Sequence, residues 1–293
     1  MNRTKMERLA KLALENGRDY SELVEIKPIR GGSINEAFYV RTTENEYFMK
    51  FHADAPKDFF KSEAIGLRLL KETNTVSVPN YYSYSDQPGN SFLLMEWIEG
   101  EEAPDTEAIL GRKVAQLHQC YGRMHGFHND TYIGLLPQPN KLLPNWLEYF
   151  GTYRLGSQLK IGVERGSISG ERRNKLEKLL QLLDKWVPTF VEPSHLHGDF
   201  YHGNWIVGPG GEPFLVDPSF LYGDRQLDIA FTELFGGFSQ DFYDAYNEVY
   251  PLRDDYEDVK PLYQLYYLLA HLNMFGESYG PSVDKILVRY VGD

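Results

Sequence analysis

Between residues 195 and 218 the chain carries three oxygen-bearing side chains whose types and spacing suit one reaction. In His195-Leu-His-Gly-Asp-Phe-Tyr-His-Gly-Asn-Trp-Ile-Val207, Asp199 stands five positions before Asn204. After the turn Gly208-Pro-Gly-Gly211, the apolar run Phe214-Leu-Val216 ends at Asp217. A carboxylate beside a hydroxyl can take its proton. An amide oxygen and a second carboxylate are hard donors of the kind magnesium prefers, the rest of its shell being phosphate and water. The spacing is that of a phosphotransferase catalytic loop, with Asp199 as base and Asn204 and Asp217 as magnesium ligands on the phosphates of ATP. Turn residues between two short apolar runs predict a hairpin, which brings Asn204 and Asp217 to the same end. Alone, His-Gly-Asp is a common turn sequence, Gly and Asp being favoured turn formers. The composite, not the tripeptide, points to phosphoryl transfer.

Such a loop needs a partner wall to hold the nucleotide. Near the start, an amphipathic helix over residues 4–15 precedes a strand over 24–29, which runs into Gly31-Gly32 and Ser33. Paired glycines at a strand turn expose backbone NH groups to a phosphate, although the same residues also suit an ordinary hairpin. Lys50 lies inside the apolar strand Glu46-Tyr-Phe-Met-Lys-Phe51. A desolvated ammonium needs a counter-charge, and Glu63, on a helix expected over 57–71, offers one. A strand lysine fixed by a helix glutamate and reaching nucleotide phosphates is the arrangement found in protein kinases; the alternative is a lysine snorkelling outward at a strand edge. The nearly all-apolar strand 91–98 ends in Glu99-Gly100-Glu-Glu, a polar break suited to a hinge between lobes. In a kinase-like cleft the backbone at Glu96 and Trp97 meets the adenine, their side chains serving packing and hinge geometry.

Beyond the hinge the pattern is helical. Leu110, Val114, Leu117 and Tyr121 recur along one face, with His118 a packed or capping histidine and Cys120 a core filler. An irregular stretch over 125–145 is followed by helices over 145–159 and 170–187. Asp228 opens an apolar helix, where the helix dipole favours a carboxylate; with His197 it reads as structural support of the catalytic loop. Tyr222, Asp224 and Arg225, just after Asp217, are candidates for a polar substrate pocket. Segments 242–250, 256–275 and 283–291 are helical, and the first two are rich in tyrosine, one or two of which could form a platform for a sugar.

Composition bounds the remaining possibilities. A chain of 293 residues is comfortable for two lobes around a cleft. Lys and Arg number 30 against 42 Asp and Glu, a net charge of −12, which disfavours nucleic-acid and anionic-membrane partners and suits a cationic small substrate. A single cysteine excludes an intramolecular disulfide and zinc-type Cys/His spacing is absent. Neither a signal peptide nor an apolar run long enough to span a membrane is present, so the cytoplasm is the expected compartment.

Together, Leu196-His-Gly-Asp-Phe-Tyr-His-Gly-Asn204, Val216-Asp-Pro218, Tyr222-Gly223, Asp228-Ile-Ala230 and Leu234-Phe-Gly-Gly-Phe238 resemble the fructosamine kinase (ketosamine 3-kinase) family. The likeness runs over nearly the whole chain, through Gly31-Gly32, Phe48-Met-Lys50, Val78-Pro79, Tyr132-Ile-Gly134, Pro137-Gln138, Asn145-Trp146 and Tyr263-Gln264-Leu265. The resemblance implies an α+β, bilobal protein-kinase-like fold. A small antiparallel-sheet lobe over 1–98 binds the nucleotide, and a larger, mainly helical lobe over 99–293 carries catalysis and substrate. It also implies ATP-dependent phosphorylation of the 3-hydroxyl of a ribulosamine or fructosamine, free or on a protein lysine, as a deglycation repair activity. Many members have Cys where this chain has Ser33, so thiol control through that loop is not implied. The usual Leu-Trp after His-Gly-Asp is Phe200-Tyr201 here, a change in the substrate wall. A kinase of another amino-alcohol, such as an aminoglycoside or choline, and a catalytically silent binding module are the alternatives.

Overall fold

The computed structural model describes residues 3–29 and 34–292. Helix α1 (Arg3–Asn16) precedes strands β1 (Leu23–Ile29), β2 (Glu36–Thr42) and β3 (Glu46–His52), helix α2 (Phe59–Glu72), and strands β4 (Tyr81–Ser85) and β5 (Ser91–Glu96). The five strands form one antiparallel sheet in the order β1-β2-β3-β5-β4. Pro28 is tolerated because β1 is an edge strand. Successive side chains alternate between the faces of a sheet. Tyr47, Met49 and Phe51 of β3 therefore join Phe38, Val40, Phe92 and Leu94 against Leu9, Ala10, Ala13 and Leu14 of α1. The opposite face sets Leu93 and Met95 against Phe60, Ala64 and Leu67 of α2. Lys50, out of phase with the α1-facing residues, is on this second face, paired across the sheet with Ala37 and Leu93. Burying each large apolar side chain contributes roughly 1.5–3 kcal/mol, and a one-residue slip of β3 would send Lys50 into the α1 core.

A linker over 97–105 leads to α3 (Thr106–His118). It crosses the later hairpin so closely that a Cβ at Gly100 would lie 1.9 Å from the carbonyl oxygen of Gly208. The second lobe continues with a small hairpin of β6 (Thr131–Ile133) and β7 (Leu136–Gln138), then α4 (Trp146–Tyr149), a π-helical stretch (Phe150–Gly156), α5 (Ser157–Arg165) and α6 (Gly170–Gln181). Four short strands follow, β8 (Ser194–Leu196), β9 (Trp205–Val207), β10 (Pro213–Leu215) and β11 (Leu221–Gly223), and then α7 (Gln226–Leu234), α8 (Gln240–Val249), α9 (Tyr256–Phe275) and α10 (Gly280–Val291). Helix α9 is buried along most of its length, and α5, α7 and α10 pack around it.

The expected α+β architecture of a small antiparallel sheet beside a mainly helical lobe is what the chain adopts. Three local expectations differ. The stretch over 125–145 contains β6 and β7, whose three-residue strands, joined at Gly134 and with Pro137 inside β7, are too short to show a period. Helix α3 ends at His118, which leaves Cys120 half-buried in the following turn instead of in the core. The helix beginning at Trp146 runs on to Arg165 through its π-helical turn, whereas α6 stops at Gln181 before a 3₁₀ turn. Among the described residues, no helix is long and apolar enough to cross a membrane.

Candidate active site

Strand β8 ends two residues before a reversal that requires glycine. Gly198 has φ +81°, and a Cβ there would lie 2.0 Å from the carbonyl oxygen of Ser219. The reversal aims Asp199 into the cleft between the lobes. The Asn204 side-chain amide donates to both the Asp199 carbonyl (2.8 Å) and its carboxylate (3.0 Å), which leaves the Asn204 amide oxygen as its ligand atom. Strands β9 and β10 pair in register, and the Val216 NH donates to the Asn204 carbonyl at 3.0 Å, so Asn204 and Asp217 emerge at the same end of the hairpin. Asp217 itself has φ 57°, a left-handed conformation that Asp tolerates better than most residues and that is found at functional sites.

Lys50 meets this loop from the sheet. Its ammonium donates to Glu63 of α2 at 2.7 Å and to the carboxylate of Asp217. Burial alone would push the Lys50 ammonium down, but Asp217 and Glu63 more than offset it and hold the lysine charged. Burial, reinforced by the negative charge of Asp217, pushes Asp199 up to about 7. Glu63 is also raised, by burial and by Asp217 against the opposing pull of Lys50. Three carboxylates thus share one ammonium, an excess of negative charge that a divalent cation would relieve. Among the described residues no three His, Cys, Asp or Glu side chains converge as a metal cage. Asp217 and Asn204 nevertheless fit magnesium, which takes only one or two protein oxygens when phosphate supplies others.

The support behind the loop is polar and buried. Asp228, in the first turn of α7, accepts the backbone NH groups of His197 (2.7 Å) and Gly198 (2.9 Å). His197 bridges the two halves of the site: its Nε2 lies 2.8 Å from the Val216 carbonyl, and its Nδ1 accepts the Asp199 NH at 3.3 Å. One ring nitrogen donates and the other accepts, which describes a neutral imidazole; burial accordingly pushes the His197 pKa down.

Besides a small cavity of about 90 Å³ behind Lys50 and Glu63, two larger chambers meet at Asp199. The first, about 540 Å³, has apolar walls from Ile29, Ala37, Phe48, Met95, Ile98 and Ile206 and a polar end formed by Lys50, Asn204, Asp199 and Asp217. Glu96 and Trp97 are at its rim. The Glu96 carboxylate is turned onto Asn80, accepting its side-chain amide at 2.7 Å, and Trp97 packs edge-on against Tyr39, their ring centres 4.9 Å apart. Gly31, Gly32 and Ser33 lie outside the described residues. The second chamber, about 320 Å³, is walled by Tyr201, Phe231, Phe235, His271, Phe275 and Tyr279. Apart from Tyr201, these were not among the residues singled out by type or spacing. They come from α7 and the residue that caps it, from α9 and from the turn after α9, and their only signals are the Leu234–Phe238 motif and the aromatic richness of the C-terminal helices.

Tyr222, Asp224 and Arg225 do not join either chamber, which corrects their reading as substrate residues. Strand β11 runs antiparallel to β8, pairing Leu221 with Leu196 and Gly223 with Ser194, so residues after 223 leave the ladder at the end remote from Asp199. The Tyr222 ring packs edge-on against His195. Asp224 accepts both arms of Arg253 (2.8 and 2.6 Å) and the Tyr263 hydroxyl (2.6 Å). Arg225 donates to the carbonyls of Tyr250 and Pro251 and stacks 3.7 Å from the centre of the Tyr250 ring.

A small sheet carrying a lysine–glutamate pair, set over a helical lobe that offers Asp, Asn and Asp from one hairpin, defines a bilobal kinase-like phosphotransferase. The fructosamine kinase family model matches residues 5–292, and the chain belongs to that family. It is 39% identical over 267 residues to "Probable ketoamine kinase" of Enterococcus faecium, covering 91% of this chain and 95% of the relative. It is 33% identical over 277 residues to the chloroplastic protein-ribulosamine 3-kinase of Arabidopsis thaliana, covering 92% and 84%. A crystal structure from Haemophilus somnus, described as "Putative fructosamine-3-kinase", superposes with a TM-score of 0.86 at 31% identity, covering 97% and 96%.

Proposed function

We propose that the chain transfers the γ-phosphoryl group of ATP to the 3-hydroxyl of a ketosamine, a ribulosamine or fructosamine joined to a free amine or to a protein lysine. The observation that carries this reading is the position of Asp199, whose carboxylate is shared by the two chambers with Lys50, Asn204 and Asp217 beside it. The nucleotide occupies the larger chamber, its adenine near the backbone of Glu96 and Trp97 and its phosphates at Lys50 and the Gly31-Gly32-Ser33 segment. Lys50, fixed by Glu63, donates to the phosphate oxygens. Asn204 and Asp217 would hold magnesium, which neutralises phosphate charge when bound. The sugar enters the aromatic chamber, whose ring faces suit the apolar faces of a carbohydrate. Asp199 orients the 3-hydroxyl in line with the γ-phosphorus and takes its proton as the new O–P bond forms and the bond to ADP breaks.

The names of the relatives support a ketosamine acceptor over an aminoglycoside or choline. A phosphate ester at C3, beside the sugar's carbonyl carbon, is readily eliminated and frees the amine, so the transfer amounts to deglycation; the cytoplasm is its proposed compartment. The test is ATP consumption by purified protein with magnesium, offered ribulose-lysine, fructose-lysine and an aminoglycoside. Turnover on a ketosamine, with phosphorus NMR placing the ester at C3, is the expected result. Turnover on the aminoglycoside alone would overturn the acceptor.

A further inference from the structure

The carboxylate of Asp228, which holds the catalytic loop, is fully buried and makes no ion pair with Lys or Arg among the described residues. Its third partner is His118 of α3, whose Nε2 lies 3.3 Å from Asp228 Oδ2. The other ring nitrogen, Nδ1, is 2.8 Å from the Tyr246 hydroxyl of α8. That hydroxyl in turn lies 3.0 Å from Nη1 of Arg225.

These contacts have one consistent direction. A guanidinium only donates, so the Tyr246 oxygen accepts from Arg225; a carboxylate only accepts, so the proton of a neutral His118 faces Asp228 on Nε2, and Nδ1 takes the Tyr246 hydrogen. Asp228 then receives three NH groups, from His118, His197 and Gly198. Arg225 thus keeps its charge but polarises Tyr246 and His118 in the sense that strengthens the hydrogen bond to Asp228.

We propose that Arg225, Tyr246 and His118 form a one-way hydrogen-bond relay that fixes Asp228 and, through the His197 and Gly198 backbone, sets the position of the Asp199 carboxylate. His118 and Tyr246 are positioning residues, since neither touches the reacting atoms. The proposal rests on Asp199 as the base, but its structural part is read without turnover.

Three variants test it. Gln at position 118 can place an NH near the site of Nε2, whereas Asn reproduces only the Nδ1 side. His118→Gln should keep kcat within about 3-fold of the parent, and His118→Asn should lower it about 10-fold or more, with KM for ATP changed by less than about 2-fold, the range expected when the groups behind a reacting residue are removed. A purely architectural histidine would make both variants follow their folded fraction. Tyr246→Phe keeps its shape and removes only the hydroxyl; in it the amides of His197 and Gly198 should exchange with solvent faster. Nitrogen NMR of the parent should show the His118 proton on Nε2. Equal kcat in folded His118→Gln and His118→Asn, a proton on Nδ1, or unchanged exchange at His197 and Gly198 in Tyr246→Phe would each overturn the relay. A parent protein inactive on every ketosamine would instead overturn the proposed function and leave the NMR and exchange results to decide the relay.

Discussion

Asp199 and Asp224 leave opposite ends of the same two-stranded ladder, β8 paired with β11, the first half-buried at the cleft and the second fully buried, and their surroundings oppose each other. Burial pushes the Asp224 carboxyl upward, but the two arms of Arg253, the Tyr263 hydroxyl and the Gln226 NH together hold it below the usual carboxylate range. Asp199 has Asn204 as its side-chain donor, faces the like charge of Asp217, and is pushed up to about 7. One end of the ladder is electrically complete and serves the fold. The other end is left short of positive charge, and that deficit is what a metal–nucleotide complex would fill.

The sharpest way to break this contrast is to remove each carboxylate. For Asp199→Ala, kcat on a ketosamine should fall by about 10²–10⁴-fold, the range for a lost general base, with the thermal midpoint unchanged or raised. Near-normal turnover would end its assignment as the base. For Asp224→Ala the order reverses. Removing the partner of the buried Tyr263 hydroxyl and of Arg253, which is partly exposed and keeps Asp255, should cost about 1–3 kcal/mol of stability, seen as a midpoint lower by roughly 5 °C in a chain of this size, while kcat per folded molecule stays within about 3-fold of the parent. A stable but inactive Asp224→Ala would return that residue to the catalytic machinery.

The contrast also separates what the sequence discloses from what it hides. The β9–β10 hairpin and the Lys50–Glu63 pairing were legible because each depends on short-range pattern: a Gly-Pro-Gly-Gly turn between apolar runs, and a charge out of place in an apolar strand within reach of one helix. The β8–β11 ladder was not legible. Three-residue strands carry no readable period, and their pairing is set by the packing of the whole lobe. Without the ladder, chain proximity to Asp217 suggested a site for Tyr222, Asp224 and Arg225 that antiparallel pairing forbids. Phe235, His271, Phe275 and Tyr279 were hidden for a related reason. They converge from separate elements, and an aromatic on a helix reads first as core.

A titration sharpens the contrast without deleting anything. Burial and the charge of Asp217 push Asp199 up to about 7 from the ordinary aspartate value of 3.8, so the folded protein binds the extra proton between these pH values and the unfolded chain does not. Stability attributable to this group is therefore present at low pH and is lost as pH rises toward about 7. Buried histidines lowered by desolvation, among them His118 and His197, act in the opposite sense, so the whole-protein profile is uninformative and the difference from a variant is what counts. Asp199→Asn keeps an acceptor for Asn204 and never ionises. Relative to the parent it should gain stability between pH 5 and pH 8, by about 3 kcal/mol from the linkage of roughly 1.4 kcal/mol per pH unit up to the folded-state value, measured by denaturant titration without nucleotide. A constant difference across that range would mean that Asp199 is already ionised in the free protein.

The smallest effect extends the same logic from charge to apolar surface. Phe235 is about half exposed at the wall of the second chamber, its ring meeting Phe231 and His271 edge-on at 5.9 and 5.0 Å. A side chain so exposed contributes little to folding, and Phe235→Ala should shift the thermal midpoint by only a degree or two. If the chamber receives the sugar, losing one ring face worth about 0.5–1.5 kcal/mol should raise KM for the ketosamine about 2- to 10-fold. KM for ATP should stay put, because Phe235 does not border the nucleotide chamber. A matched rise in both constants would show that the two chambers act as one, and an unchanged ketosamine KM would move the acceptor to another wall of Asp199.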